Sequence, residues 1–115
     1  MQVQVSMTVE VPASGDLDEV ERAVLAAGRR AMAAAMRAAC RAVEARVTAC
    51  PHCGGAAWRS AGTDRRVLLC SFGRVALAPR RWRCLGCGRR FRPAASWLAA
   101  LGGANVTPAL AAICV

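Results

Sequence analysis

The sequence contains no lysine and no tyrosine, and no charged residue follows Arg92. All 16 of its strongly basic residues are therefore arginine, and 7 acidic residues leave a net charge of +9. The arginines interrupt every apolar run before residue 93, so we find no stretch of about 20 apolar residues that would span a membrane. No basic stretch followed by an apolar run opens the chain, so we expect no secretory signal and a reducing, cytoplasmic environment. With only 115 residues, these features disfavour a membrane protein, a secreted disulfide-rich protein and a large multidomain enzyme.

Acidic residues are scarce in the second half of the chain, where Asp64 is the only one after Glu44. Residues 1–49 hold six arginines and six acids, whereas residues 50–92 hold ten arginines and one acid and carry the whole net charge. Two-metal phosphoryl transfer needs several convergent carboxylates, so we expect no catalysis from this chain by itself. Basic charge confined to one segment is typical of a nucleic-acid-binding surface. The alternative is a GC-rich genome that favours arginine codons.

The first 49 residues predict a short strand followed by a long helix. Apolar residues at every second position from 3 to 11 indicate a strand. A helix is predicted from Leu17 to about Val47, with Asp16 as its N-cap. Two apolar stripes follow this helix: Leu25, Met32, Met36, Cys40, Val43 and Val47 in the first, and Val20, Val24, Ala27, Ala31, Ala34 and Ala38 in the second. The rest of the chain is too short to cover both, so the expected partner of residues 17–47 is a helix from a second copy or from a missing part of a longer protein.

Two Cys-x-x-Cys-Gly hooks, at residues 50–54 and 84–88, carry the clearest chemical signal. Four thiolates arranged as a tetrahedron are the preferred ligands of structural zinc. We therefore predict one structural Zn²⁺ ion bound by Cys50, Cys53, Cys84 and Cys87. A rubredoxin-like iron site and a redox dithiol are the alternatives. His52 lies inside the first hook and is expected not to bind the metal. The remaining cysteines, expected to be ordinary thiols, are Cys40, Cys70 and Cys114.

The segment between the hooks predicts short antiparallel strands with turns at 61–64 and Gly73. A small sheet pinned at one end by four sulfurs is a zinc ribbon, and bound metal would supply much of its folding free energy. We expect Trp82 and Phe91 to form its core. The predicted fold class is therefore α+β, with a strand-and-helix leader (1–49), a zinc ribbon (50–93) and an uncharged helical tail (94–115).

Arginines surround the second hook. Guanidinium groups suit phosphate oxygens, so these residues are the candidate DNA contacts. The candidates near the hook are Arg80, Arg81, Arg83, Arg89, Arg90 and Arg92, and Arg65, Arg66 and Arg74 extend the same surface. Arginines on the predicted helix are offset by acids and are expected to contribute little.

Three segments, taken in order, are similar to a known family: residues 50–55, 65–75 with Phe-Gly-Arg-Val at the turn, and 81–93 around the second hook. This succession resembles the amino-terminal region of bacterial insertion-sequence transposases of the Kra type. In that family a helical leader precedes a zinc ribbon, and a DDE-type catalytic domain follows. The Thr107-Pro108-Ala-Leu110 segment matches the family's Ser/Thr-Pro-x-Leu helix start, with Thr107 as N-cap and Pro108 at the first helical position.

The sequence departs from the family at Pro93-Ala-Ala-Ser96, where the family has Pro-Leu-Asp, and no residue of the catalytic domain can be matched. The resemblance implies a truncated, non-catalytic transposase piece that binds transposon-end DNA, with no membrane and no small-molecule substrate. Two other functions stay open. One is a zinc-stabilised protein–protein adaptor that pairs through the long helix, and the other is a rubredoxin-like electron carrier.

Overall fold

The computed structural model describes residues 1–13 and 15–101, and beyond them residues 105, 107, 108 and 110. One long helix is followed by two small antiparallel sheets and a short helix, which confirms the predicted α+β class. The elements are α1 (Leu17–Ala45), β1 (Trp58–Thr63), β2 (Arg66–Cys70), β3 (Gly73–Leu77), β4 (Arg80–Cys84), β5 (Arg90–Phe91) and α2 (Ala95–Leu98), with a turn of 3-10 helix at Ala99–Leu101. None of the helices in these ranges has both the length and the apolar character needed to cross a bilayer.

Helix α1 begins where the sequence predicts, because Asp16 caps it. The Asp16 backbone is extended, and its Oδ1 accepts a hydrogen bond of 2.8 Å from the Glu19 N–H. This bond satisfies one of the backbone donors that a helix leaves unpaired at its start. The helix ends at Ala45, two residues before the predicted end, and the next two N–H groups make tighter i to i−3 bonds of 3.2 Å.

The predicted N-terminal strand does not form, and this prediction is wrong. Residues 1–11 have no regular secondary structure, and the apolar side chains of Val3, Val5, Met7 and Val11 are exposed. A strand needs a neighbour to take up its backbone hydrogen bonds. No segment in the described part of the chain pairs with residues 1–11, so alternation alone was an insufficient signal.

Strands β2 and β3 form a two-stranded hairpin that packs against α1. Their register runs from Arg66 opposite Leu77 to Cys70 opposite Gly73, which leaves residues 71 and 72 as the turn. Gly73 has a φ of +131°, a conformation that suits glycine. The predicted tight turn is therefore confirmed, and Gly73 follows it as the first residue of β3.

Strands β1, β4 and β5 form a separate three-stranded sheet with β4 in the centre. Trp58 of β1 lies opposite Cys84 of β4, and Trp82 of β4 lies opposite Phe91 of β5. Paired residues of an antiparallel sheet share a face. Cys84 and the three aromatic rings of this sheet therefore lie on one side of it.

Segment 61–64 is not the turn that the sequence predicts. Strand β1 continues to Thr63, and its pairing with β4 shifts between Ser60 and Thr63. Gly62 has a φ of +102° at this point. An irregularity of this kind is a bulge, which bends the strand without ending the ladder.

The apolar residues form two separate cores. The larger, here called the helix–hairpin core, joins α1, the hairpin and α2 through Cys40, Leu68, Cys70, Val75, Leu77, Ala94 and Leu98. The smaller, the ribbon core, lies beside the hooks and contains buried Cys50, Cys84 and Phe91, with Val47, Trp58 and Trp82 packed against them.

The two cores explain how the chain covers part of its long helix. Met36, Cys40 and Val43 of the first predicted stripe pack into the helix–hairpin core, so the chain's own hairpin covers that half. In the first half of α1, Leu17 is 84% exposed and Leu25 is 49% exposed, as part of a wider apolar face. The expectation that the chain is too short to cover the helix therefore holds for this first half only.

A buried carboxylate joins α1 to the three-stranded sheet. Glu44 is only 1% exposed, and its Oε2 accepts a hydrogen bond of 2.6 Å from the backbone N–H of Arg80, the first residue of β4. Its Oε1 accepts one of 2.6 Å from Arg41, which also donates to the Ala78 carbonyl at 3.0 Å. This network ties the end of α1 to the start of β4.

The predicted helix start at Thr107 is present in the described residues. Pro108 and Leu110 are helical, and the Leu110 N–H donates to Thr107 Oγ1 at 3.4 Å. This is the N-cap arrangement expected from the sequence. Val106 and Ala109 lie outside the described residues.

Candidate metal centre

The two hooks fold into the same turn. In the first, the Gly54 N–H donates to the Cys50 carbonyl at 2.9 Å, and in the second the Gly88 N–H donates to the Cys84 carbonyl at 3.0 Å. Gly54 and Gly88 have φ values of +76° and +74°, which only glycine adopts at little cost. The glycine after each cysteine pair is therefore required by the turn.

A second bond closes each hook in the same way. The Cys50 N–H donates to the Gly55 carbonyl at 2.8 Å, and the Cys84 N–H donates to the Arg89 carbonyl at 2.9 Å. The two turns face each other, and the Leu85 N–H joins them by donating to the Ala57 carbonyl at 2.9 Å. Segments thirty residues apart in sequence thus build one site.

The four cysteine sulfurs converge. All four Sγ atoms lie within 4.8 Å of one another, with 3.8 Å between Cys50 and Cys87 and 3.5 Å between Cys53 and Cys84. Metal–sulfur bonds of about 2.3 Å in a tetrahedron place the sulfurs about 3.8 Å apart. The site can therefore hold one metal ion with little movement of its ligands.

Backbone N–H groups point at these sulfurs. His52 donates to Cys50 Sγ at 3.4 Å, Gly55 to Cys53 Sγ at 3.4 Å, and Gly86 to Cys84 Sγ at 3.3 Å. Such bonds favour the thiolate over the thiol, and the thiolate is the form that binds metal. His52 contributes its backbone here, and its side chain is outside the group of converging ligands, as expected.

The thiols differ in their acidity. The backbone N–H of Cys87, helped by that of Gly86, lowers the pKa of the Cys84 thiol to about 7 despite its burial. The Gly55 N–H lowers the pKa of Cys53, but the neighbouring thiols of Cys84 and Cys87 outweigh it and raise that pKa to about 11. The Cys84 thiol thus loses its proton readily, whereas the neighbouring thiols make Cys53 harder to deprotonate. A bound cation would relieve this conflict, so the donor set fits a metal ion.

Three aromatic rings pack beside the hooks. Trp58 and Trp82 stack with their centroids 5.2 Å apart, and Phe91 meets both edge-on at 5.6 and 5.8 Å. This confirms that Trp82 and Phe91 belong to the core of the sheet. Trp58 completes the cluster.

The other cysteines lie elsewhere. Cys40 and Cys70 are buried in the helix–hairpin core, and burial raises the pKa of both thiols. Neither belongs to the converging group, as expected. Cys114 lies outside the described residues.

The nine candidate arginines differ in their contacts and exposure. Arg66 is held by Asn105, whose Oδ1 accepts from its Nη2 at 2.6 Å. The Nε atoms of Arg81 and Arg92 lie 3.3 and 2.7 Å from the two carboxylate oxygens of Asp64, as ion pairs without good hydrogen-bond alignment. The other six candidates, all exposed, are Arg65, Arg74, Arg80, Arg83, Arg89 and Arg90. Arg74 is on the hairpin, and Arg65 immediately precedes it.

Arg59 is not among the candidates that the sequence indicates, but it lies in one row with two of them. Arg59 of β1 lies directly opposite Arg83 of β4, and Arg83 lies opposite Arg90 of β5. We call these three residues the arginine row. The alternation around Trp58 could have placed Arg59 on the face away from the rings, but the pairing of β1 with β4 was not visible in the sequence.

Comparison with protein-family models, with curated proteins and with solved structures finds no match to this chain.

Proposed function

We propose that the protein is a zinc-ribbon module that binds DNA, of the kind found in the amino-terminal region of insertion-sequence transposases. The observation that carries the proposal is the convergence of four cysteine sulfurs from two identical hooks. A closed site with four protein ligands leaves no position open for substrate, so its metal has a structural role.

Zinc is the metal that this site fits best. Four thiolates in a tetrahedron suit both zinc and iron. Rubredoxin-like electron carriers are usually acidic, whereas this chain has a net charge of +9. We therefore assign the site to one structural Zn²⁺ ion.

DNA is the partner that the charge distribution favours. Six of the candidate arginines are exposed around the metal centre and the hairpin, and the segment 50–92 contains only one acid. That acid, Asp64, pairs with Arg81 and Arg92, so it does not offset the positive charge of the six exposed arginines. The resemblance of the motifs to a transposase region points to the end of a transposon as the natural DNA.

We infer no DNA cleavage by this chain itself. After Glu44 the only carboxylate is Asp64, which two arginines already engage. Glu44 is buried and accepts hydrogen bonds from Arg41 and Arg80. Metal-assisted phosphoryl transfer requires convergent carboxylates that are free to bind the ions.

The experiment measures metal and DNA binding together. The purified protein should contain one zinc ion per chain, and its affinity for a mixed-sequence duplex, followed by fluorescence anisotropy, should fall steeply as salt rises. The log–log slope is about −0.9 for each phosphate neutralised. A red, iron-containing protein would support an electron carrier instead.

A protein–protein adaptor is the second candidate, and the exposed apolar face of α1 favours it. Leu17, Val24, Leu25 and Met32 are all exposed on the first half of this helix. If the zinc-loaded protein has no measurable affinity for DNA even at low salt, and sediments as a dimer or larger species, the adaptor function replaces the first.

A further inference from the structure

The arginine row lies on the side of the three-stranded sheet that faces away from the aromatic rings. Arg59 is next to Trp58 along β1, and Arg83 is next to Trp82 along β4, so alternation places the two types on opposite faces. Neighbouring strands are about 4.8 Å apart, so the outer members of the row are separated by about 10 Å at their Cα atoms. Three exposed guanidinium groups thus cross the sheet in one line.

This arrangement has no counter-charge in the described part of the chain. Like charges on directly paired positions of a sheet destabilise it. Asp64, the one acid of this region, engages Arg81 and Arg92, each two residues from a member of the row. Within the described residues, none of Arg59, Arg83 and Arg90 takes part in an ion pair. A bound polyanion would remove their repulsion.

The central member of the row is held in place by the metal hook. The Nε of Arg83 donates to the carbonyl of Gly88 at 3.1 Å, and Gly88 in turn donates to the Cys84 carbonyl. Because Nε makes this bond, the exposed end of the guanidinium carries the donors that remain for a ligand. Side chains that are ordered before binding lose less entropy when a ligand binds.

We propose that the arginine row binds the phosphate backbone of duplex DNA, with one guanidinium group for each of three neighbouring phosphates of a strand. Successive phosphates of one strand rise about 3.4 Å along the duplex axis and also wind around it, so three of them lie farther apart than their axial rise of about 7 Å. Three long side chains whose Cα atoms span about 10 Å can reach phosphates at that spacing. The planar guanidinium fork matches phosphate oxygens. Contacts of this kind position the protein on DNA and do not read its sequence. The inference rests on the proposed function, and it narrows the nine candidate arginines to a surface of three that includes Arg59.

The test compares two triple variants that lose the same charge. The row variant is R59A/R83A/R90A, and the control is R29A/R30A/R37A, which removes three exposed arginines of α1 that lie outside the candidate DNA surface. Binding to a mixed-sequence duplex is measured between about 50 and 200 mM salt, with zinc content as a check that the hooks are intact. The row variant should bind at least roughly tenfold more weakly, and its log–log slope should be less steep by about 2.7, which is 0.9 for each of three phosphates. The control should change that slope by less than about 1.

A third variant separates a lost contact from a lost fold. R59K/R83K/R90K keeps the three charges and should recover most of the salt slope, with weaker binding because lysine lacks the fork. If the row and control variants lose affinity equally, or only the control loses it, the row is not the contact surface although the protein still binds DNA. If the wild-type protein fails to bind duplex DNA at low salt, the proposed function fails together with this inference.

Discussion

The helix–hairpin core and the ribbon core differ in how much apolar surface they bury, and therefore in what can stabilise them. The first buries seven residues, among them Leu68, Val75 and Leu77, from four elements of the chain. The second buries only three, and two of these are Cys50 and Cys84 of the converging four-cysteine group. Burial of apolar surface can stabilise the first, whereas the second is too small to fold on burial alone. We therefore expect a bound metal ion to supply the folding free energy that the ribbon core lacks.

The arginine row, which we propose as the DNA contact, belongs to the part of the molecule that we expect to depend on a metal ion. Arg83 bonds to Gly88 of the second hook, and Arg59 and Arg90 flank it on the same sheet. The helix–hairpin core supports this sheet from one side through Glu44. The comparison predicts that the two regions respond differently to loss of metal and to loss of apolar contacts.

Removing one metal ligand should have the largest effect. Structural zinc in small sites binds with an apparent free energy of about 10–16 kcal/mol, and this is also folding free energy. We expect Cys84→Ser to lose the metal and the order of the three-stranded sheet, while α1 stays helical. Metal analysis measures the first effect, near-ultraviolet circular dichroism of the stacked Trp58 and Trp82 the second, and far-ultraviolet dichroism the third.

Cys70→Ala is the control for this variant, because Cys70 is a buried cysteine of the other core. It should keep one metal ion per chain. Metal retained in Cys84→Ser and lost in Cys70→Ala would reverse the assignment of the two cores.

Truncating an apolar side chain should have an intermediate effect, restricted to the helix–hairpin core. Leu68 is 2% exposed, and Leu68→Ala should lower the free energy of unfolding by about 2–5 kcal/mol while one metal ion stays bound. Leu69, the next residue on β2, points to the other face and is 39% exposed. Leu69→Ala should therefore change stability by less than about 1 kcal/mol. Urea denaturation followed by far-ultraviolet dichroism measures both, and equal losses would show that β2 is not buried on one face.

The features that the sequence could predict are those that depend on near neighbours. Asp16 caps α1 through a bond to Glu19, three residues away, so the start of the helix was predictable. Each hook is a turn of a few residues that needs its cysteines and its glycine, so the four-cysteine group was predictable as well. The N-cap at Thr107 is local in the same sense.

The features that could not be predicted from the sequence depend on which distant segments contact one another in the fold. The alternating residues 2–11 have the pattern of a strand, but a strand also needs a partner, and no described segment provides one. Arg59 became part of the candidate surface only through the pairing of β1 with β4. Asp64 forms ion pairs with Arg81 and Arg92, which lie 17 and 28 residues away in the sequence. Counting charges along the sequence could not identify these pairs.

Replacing Glu44 tests how closely the folding of the two cores is coupled. Among the destabilising substitutions, it has the smallest expected effect on the free energy of unfolding. Its removal leaves the Arg80 N–H without the acceptor that it has in the wild-type protein and leaves Arg41 with the Ala78 carbonyl alone. Leaving a buried donor unpaired costs about 1–3 kcal/mol, so Glu44→Ala should lower the free energy of unfolding by that amount. Glu21→Ala, at an exposed position of the same helix, is the control and should stay within about 0.5 kcal/mol of the wild type.

The metal is the decisive measurement for this variant. Glu44 touches neither hook, and each hook is closed by its own backbone bonds, so zinc affinity measured by competition with a chelator should stay unchanged in Glu44→Ala. If zinc affinity instead falls by the factor that matches the loss of stability, the ribbon does not fold on metal independently of the helix. In that case the two cores form one cooperative unit, and the arginine row would depend on apolar packing in the helix–hairpin core as much as on the metal.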